Sequence, residues 1–329
     1  MADASGGFIS PEFVGRDRIC GPGSLYTTSR HLLLETPVPP LAADRRPPLV
    51  VTEQINQTRQ IVWQAQRRGS KVGFVPTMGA LHVGHLSLIQ AAREECDFVV
   101  VSIFVNPTQF GPQEDLTKYP RPLAHDLKLC EEAGVNVVFH PTVETMYPTG
   151  FQTFVEVGEV SEVLEGKCRP GHFRGVATVV LKLFHAVPAD FAYFGQKDYQ
   201  QQAIIRQMCR DLDVPIEIRV CPTVREPDGL ALSSRNVYLN SEERRSALAL
   251  HRSLQLAKKL ISAGHTDLTA IRAEMFAELT KTPRVRAEYA TLIHPETLEE
   301  VPELQPRLVG VVAARVGATR LIDNLIIEA

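Results

Sequence analysis

The run Pro76-Thr77-Met78-Gly79-Ala80-Leu81-His82-Val83-Gly84-His85 carries two histidines spaced i, i+3. It follows the apolar run Val72–Val75 and leads into a helical pattern from His85 to Cys96. In an open α/β sheet, ligands bind where the carboxyl end of a strand meets a helix. Histidines at this spacing project to one side of a helix start. Gly84 leaves room for a flat group to lie against the backbone. The helix N-terminus offers unpaired N–H groups and a partial positive charge, which suits phosphate. Two imidazoles there can donate to phosphate oxygens, more strongly as negative charge builds up. A metal pair or simple helix capping is the bland alternative for an isolated His-x-x-His, and the strand–turn–helix context disfavours it. The glycines do not make a Walker A loop, because Gly-Lys-Ser/Thr is missing.

Three further segments have the same character. Phe194-Gly195-Gln196-Lys197-Asp198-Tyr199-Gln200-Gln201 is another strand end running into a helix. Lys197 is a point charge suited to a phosphate, and Asp198 can hold a ribose hydroxyl or orient the lysine. Taken alone the segment reads equally as a surface turn with an ion pair, and its pairing with the first motif on one sheet edge favours the functional reading. Asp228-Gly229-Leu230-Ala231-Leu232-Ser233-Ser234-Arg235-Asn236 opens on a turn dipeptide and places two hydroxyls before an arginine, a compact set of phosphate donors on a loop. A loop of this kind can close over a nucleotide. Ser102 to Gly111 runs from strand residues into Asn106, Pro107 and Gln109. Neutral amides such as Gln109 and Gln201 can hold hydroxyls and a carboxylate without neutralising its charge, which matters if that carboxylate must stay a nucleophile. For each glutamine alone, an ordinary structural amide is the alternative.

These segments need a sheet to bring them together. Glu53–Arg68 reads as an amphipathic helix closed by Gly69, Val72–Val75 as a strand stopped by Pro76, and Phe98–Val105 as a strand covered on both faces. Asp126–Ala133 and a short strand at Val135–Phe139 follow. Val176, Val179, Val180, Leu183, Phe184 and Val187 recur with a helical period on one face. Phe191–Phe194, a helix to Arg210 and Val214–Val220 complete an alternation of strands and helices from residue 72 to 221, which predicts a doubly wound, Rossmann-like parallel sheet. Beyond Thr223 the texture changes. A helix beginning at Ser241, another over Leu268–Leu279 and strands near 286–293, 307–316 and 319–321 predict a smaller α+β domain. The expected organisation is an unstructured arm over 1–48, a Rossmann-like domain over 49–223 and a lid domain over 224–329.

The chain has 329 residues with 35 Lys and Arg against 38 Asp and Glu, a net charge of −3 that excludes a bulk basic surface for nucleic acid. No run approaches the ~20 apolar residues that cross a bilayer. None of the six cysteines forms Cys-x-x-Cys, and none lies beside a histidine cluster, so no protein-held metal is predicted and free thiols in a reducing, cytoplasmic setting are expected. The proline-rich arm has Arg18 and Arg30 and no acid between Asp17 and Glu35, which keeps a mitochondrial presequence open beside a species-specific extension.

The first motif resembles the His-x-Gly-His signature of nucleotidyltransferases that activate a substrate by adenylation. Taken with Val101–Gly111, Tyr119-Pro120-Arg121, the Arg-Pro-Gly-His-Phe-Arg-Gly core of Gly166–Gly175, Phe194–Gln201, Leu232–Asn236 and Val316–Asn324, it resembles the pantoate–β-alanine ligase family over residues 50–329. The resemblance implies ATP bound by Met78, Gly79, Ala80, Leu81, His82, Val83, Gly84 and His85, by Gly195, Gln196, Lys197 and Asp198, by Val224, and by Leu232, Ser233, Ser234 and Arg235. It implies catalytic roles for His85, His82, Lys197 and Arg235, pantoate on Gln109 and Gln201, and β-alanine near Gln109. It further implies magnesium carried with ATP, no dedicated metal ligands at His125-Asp126, and a homodimer built through the larger domain. Another adenylyltransferase of the same superfamily, or a non-catalytic nucleotide-binding module, is the alternative.

Overall fold

The computed structural model describes residues 48–112, 114 and 116–329. The arm expected over 1–48, and its targeting alternative, fall almost wholly outside them. The elements run β1 (Val50–Thr52), α1 (Ile55–Arg67), β2 (Val72–Thr77), α2 (Val83–Glu95), β3 (Phe98–Ile103), α3 (Leu123–Glu132), β4 (Val137–Phe139), α4 (Val143–Met146), α5 (Leu164–Cys168), α6 (His172–Ala186), β5 (Phe191–Gly195), α7 (Tyr199–Asp211) and β6 (Glu217–Cys221). They continue through α8 (Ser241–Ser262), α9 (Leu268–Thr280), β7 (Val285–Ile293), β8 (Arg307–Val316) and β9 (Thr319–Glu328).

The first six strands form one parallel sheet in the order β1-β4-β3-β2-β5-β6. The winding reverses between β2 and β5, which opens a crevice at the carboxyl ends of those strands. On one face, α1, α6 and α7 bury Val62, Val176, Val180, Leu183, Ile204 and Ile205 against Phe74, Val100 and Phe194. On the other, α2 and α3 bury Ile89, Ala92 and Cys130 against Val75, Val99, Val101 and Tyr193. The helical period seen in α6 is the face that reaches this core, because a helix lying on a sheet buries a stripe at 3.6-residue spacing.

The strand predicted to stop at Pro76 instead runs to Thr77. Thr77 accepts the Phe104 N–H at 3.0 Å on the β3 side, so the alternation of the ladder turns Pro76 toward β5. The next rung toward β5 would need an N–H at 76. The β2–β5 ladder accordingly ends at the Phe74–Ala192 pair while β2 stays paired with β3 through Ile103. The helix expected from His85 begins at Val83, with His82 as its cap. The helix expected from Ser241 is capped one residue earlier, by Asn240, whose side chain accepts the Glu242 and Glu243 N–H groups while Glu243 returns a bond to the Asn240 N–H.

Strands β7, β8 and β9 form a separate antiparallel sheet in sequence order. Helices α8 and α9 cover it through Leu250, Leu254, Ile271, Met275 and Leu279. Among the described residues, no helix is long and apolar enough to cross a membrane.

Candidate active site

The His-x-Gly-His turn is held by its own imidazoles. His82 Nδ1 accepts the Gly84 N–H at 3.1 Å, and His85 Nδ1 accepts the His82 N–H at 3.3 Å. A backbone N–H can only donate, so each Nδ1 carries a lone pair. A neutral ring then keeps its proton on Nε2. Burial pushes His85 down to about 3, with His82 and Lys197 adding to the effect. Burial and then Lys197 lower His82 as well. Both rings are thus neutral donors through Nε2, with centroids 4.1 Å apart. The space that Gly84 leaves is filled by the His82 ring itself, since a Cβ at 84 would lie 2.9 Å from His82 Cε1.

Residues Gly79–Leu81 lie behind this turn. Ala80 adopts φ 51°, the left-handed region that side chains other than glycine rarely occupy. Buried Asp126 braces it: the Ala80 N–H donates to Oδ2 and the Leu81 N–H to Oδ1, each at 2.8 Å. These two N–H groups are therefore engaged by the protein and not turned to a ligand.

The second segment is clamped from both sides. Gln196 N–H donates to the Cys221 carbonyl of β6 at 2.8 Å. From β9, Asn324 Nδ2 donates to the carbonyls of Gln196 and Lys197 at 3.0 and 2.8 Å. The Lys197 ammonium stands 4.0 Å from the Asp198 carboxylate. In the third segment, Ser233 Oγ accepts the Arg235 N–H at 3.2 Å and opens a short 3-10 turn over Ser234–Tyr238. Asp228 does not join it, being paired with Arg244 at 2.9 Å.

The fourth segment makes a polar, uncharged corner. Asn106, 1% exposed, donates through Nδ2 to Gln109 Oε1 and to the Gly175 carbonyl, each at 3.1 Å. Its Oδ1 accepts from Tyr147 Oη at 2.8 Å and from Thr108 Oγ1 at 2.9 Å. His172 at the start of α6 donates from Nδ1 to the Gln109 carbonyl at 2.8 Å, while Arg169 donates to its Nε2 at 3.0 Å. That pairing suits a neutral ring, and burial with Arg169 pushes His172 down to about 4. Arg169 also grips Glu114 through two 2.6 Å bonds.

One cleft of about 240 Å³ gathers Met78, His82, Gly84, His85, Gln109, Gly195, Lys197, Asp198, Gln201, Val224, Leu232, Ser233, Ser234 and Arg235 on its wall. Gly79, Ala80, Leu81, Val83 and Gln196 do not reach that wall: Val83 is 61% exposed, and Gln196 turns its amide to Asn324 Oδ1 at 3.2 Å. The donors to phosphate and the neutral amides thus share one cavity. Sequence reasoning gave no role to Asn106, Asp126, Tyr147, Arg169, His172 or Asn324. The Arg-Pro-Gly-His core contained a signal for Arg169 and His172, whereas Asp126 and Asn324 act on segments remote in sequence.

A sequence model described as Pantoate-beta-alanine ligase matches residues 50–326. The chain belongs to that family. It is 54% identical over 276 residues to the pantothenate synthetase of Moorella thermoacetica, covering 84% of this chain and 98% of that protein. The fold agrees with a crystal structure of pantothenate synthetase from Thermus thermophilus at a TM-score of 0.80, with 47% identity over 84% of this chain and 98% of the other. A pantoate-beta-alanine ligase from Francisella tularensis, crystallised with beta-gamma ATP and beta-alanine, is 36% identical with a TM-score of 0.69, covering 84% of this chain and 97% of that one.

Proposed function

We propose that this cleft carries out the family's ligation in two steps. The chain is an ATP-dependent carbon–nitrogen ligase that joins pantoate to β-alanine. In the first step the pantoate carboxylate attacks the α-phosphorus of ATP, pyrophosphate leaves, and pantoyl adenylate forms. In the second, the β-alanine amine attacks the activated carbonyl, AMP leaves, and pantothenate is released. Magnesium enters with ATP as part of the substrate.

The observation that carries this reading is the contrast within one cavity. Two neutral Nε2–H imidazoles, Lys197 and the Ser233-Ser234-Arg235 turn supply hydrogen-bond donors and positive charge, while Gln109 and Gln201 supply neutral amides. The first group suits a triphosphate whose charge is redistributed during transfer. The second suits a carboxylate that must remain nucleophilic. His82 and His85 act as preorganised donors and not as proton carriers, because burial keeps them unprotonated at neutral pH. The Leu232–Arg235 loop and the portion after residue 223 serve as a lid that keeps the mixed anhydride from water. A homodimer through the parallel-sheet portion, in the cytoplasm, completes the reading.

Isotope exchange between pyrophosphate and ATP tests the order of events. Exchange should require pantoate and proceed without β-alanine. Exchange that appears only on adding β-alanine rules out a free adenylate intermediate.

A further inference from the structure

Asn324 belongs to the small antiparallel sheet, yet its side chain is spent on the parallel one. It sits on β9 opposite Val311 and is 2% exposed. Its Nδ2 donates to two successive main-chain carbonyls, those of Gln196 and Lys197, and its Oδ1 accepts from Gln196 Nε2. All three contacts fall on the segment that presents Lys197 to the cleft. The neighbouring Asp323 carboxylate takes a two-pronged bond from Arg225 at 2.6 and 2.8 Å, and Arg225 also donates to the carbonyls of Asn324 and Gly229. One dipeptide of β9 is therefore joined to both segments that bring donors to phosphate, at residues 195–198 and at the base of the 228–235 loop.

We propose that Asn324 is a positioning residue for the first step of the reaction. It sets the height of the Lys197 main chain, so that the seating of the small sheet governs where the ammonium meets the phosphates. The inference rests on the two-step reading above and adds a residue to it. The carbonyls of Gln196 and Lys197 fix where the lysine stem starts, and misplacing a catalytic group by about 1 Å can cost on the order of a hundredfold in rate. The two carbonyls need donors, so the amide cannot be replaced by an acid of the same shape: Asn324→Asp sets a carboxylate oxygen against each of them.

The test is a double-mutant cycle on pantoate-dependent pyrophosphate exchange, with Asn324→Asp and Asn324→Ala made in the wild-type and in a Lys197→Ala background. Melting temperature is recorded for each protein. The expected result is a fall of about 10- to 100-fold from either Asn324 substitution alone and less than about threefold in the Lys197→Ala background. A purely structural role would give the same fold loss in both backgrounds, and that result overturns the proposal. A collapse of the melting temperature in both variants also overturns it, assigning Asn324 to the general framework. Failure of the wild-type protein to exchange pyrophosphate at all refutes the two-step reading instead, so the two failures are distinguishable.

Discussion

Gly175 of α6 lies directly against the main chain of Gln109: a Cβ built at position 175 would come 2.7 Å from the Gln109 nitrogen and closer still to the Thr108 carbonyl. No flexible side chain is available there to yield, so the helix and the turn must separate if the site is filled. Gly175→Ala should leave the protein folded, at a cost of about 1–3 kcal/mol from overpacking. It should also raise the KM for pantoate about tenfold, since Gln109 moves with its backbone. ATP affinity, measured separately by titration, should change by less than about twofold.

Asp126 gives a second prediction. It is 1% exposed and accepts the N–H groups of Ala80 and Leu81, one of them on a residue with positive φ. Asp126→Asn replaces an acceptor with a donor facing an N–H. The loss of one charge-assisted bond and the stranding of a buried donor should cost about 2–3 kcal/mol in denaturant unfolding. The first reaction step should slow as the His82 turn loosens, while Asp126→Glu should not restore it, since the longer stem overfills the same space.

His85 separates ground-state binding from catalysis. Its imidazole donates from a fixed position, so its bond should strengthen as charge develops on the phosphoryl oxygens. His85→Ala should lower single-turnover adenylation by about 10²–10³ and leave ATP affinity within a few fold. A near wild-type rate with collapsed ATP affinity would make the histidine a ground-state binder.

The same burial makes stability depend on pH. His85 and His172 have folded values near 3 and 4, below the unfolded value of 6.5. Between these limits the unfolded chain binds protons that the native protein refuses, so stability is complete above about pH 6.5 and falls as the pH drops toward 4. Each of the two contributes up to about 1.4 kcal/mol per pH unit within that window. Glu165, lowered by its Arg320 pair against the cost of burial, acts in the same direction below about pH 4.5. Urea midpoints at pH 7.5 and 5.0 should differ accordingly, and His172→Gln should shrink the difference. The rate of adenylation should show no inflection near pH 6.5 from either cleft histidine.

The features legible in the sequence are those written in local periodicity. The stripe from Val176 to Val187 is buried as a stripe, and the buried run of β3 reads as apolar because helices cover both of its faces. β1 escaped notice because it is a three-residue edge strand with Val50 and Val51 exposed, which leaves no pattern to detect. In the cleft, the phosphate donors and the neutral amides that reach the wall lie in the four motif segments, while Tyr119, Arg169, His172, Val180 and Val224 line it from outside them. Of the residues that hold those segments in place, Arg169 and His172 lie in a recognisable run, whereas Asp126 and Asn324 have no local pattern around them. Asp126 is separated from its partners by 45 and 46 residues, and Asn324 from its own by 127 and 128. A residue whose only work is to satisfy another segment's backbone has no spacing rule, and its role emerges only when the fold closes the distance.

Pro76 makes the crevice between β2 and β5 a property of covalent structure. Any other amino acid at that position would put an N–H in the wall. That donor would either draw Tyr193 of β5 inward and narrow the slot, or stay unpaired at a cost of about 1–3 kcal/mol. Proline does neither. The sheet forks beyond Phe74 and Ala192 without stranding a donor, and β2 keeps its bonds to β3 on the other side. The slot is therefore open before any ligand arrives, and binding need not spend energy prying two strands apart.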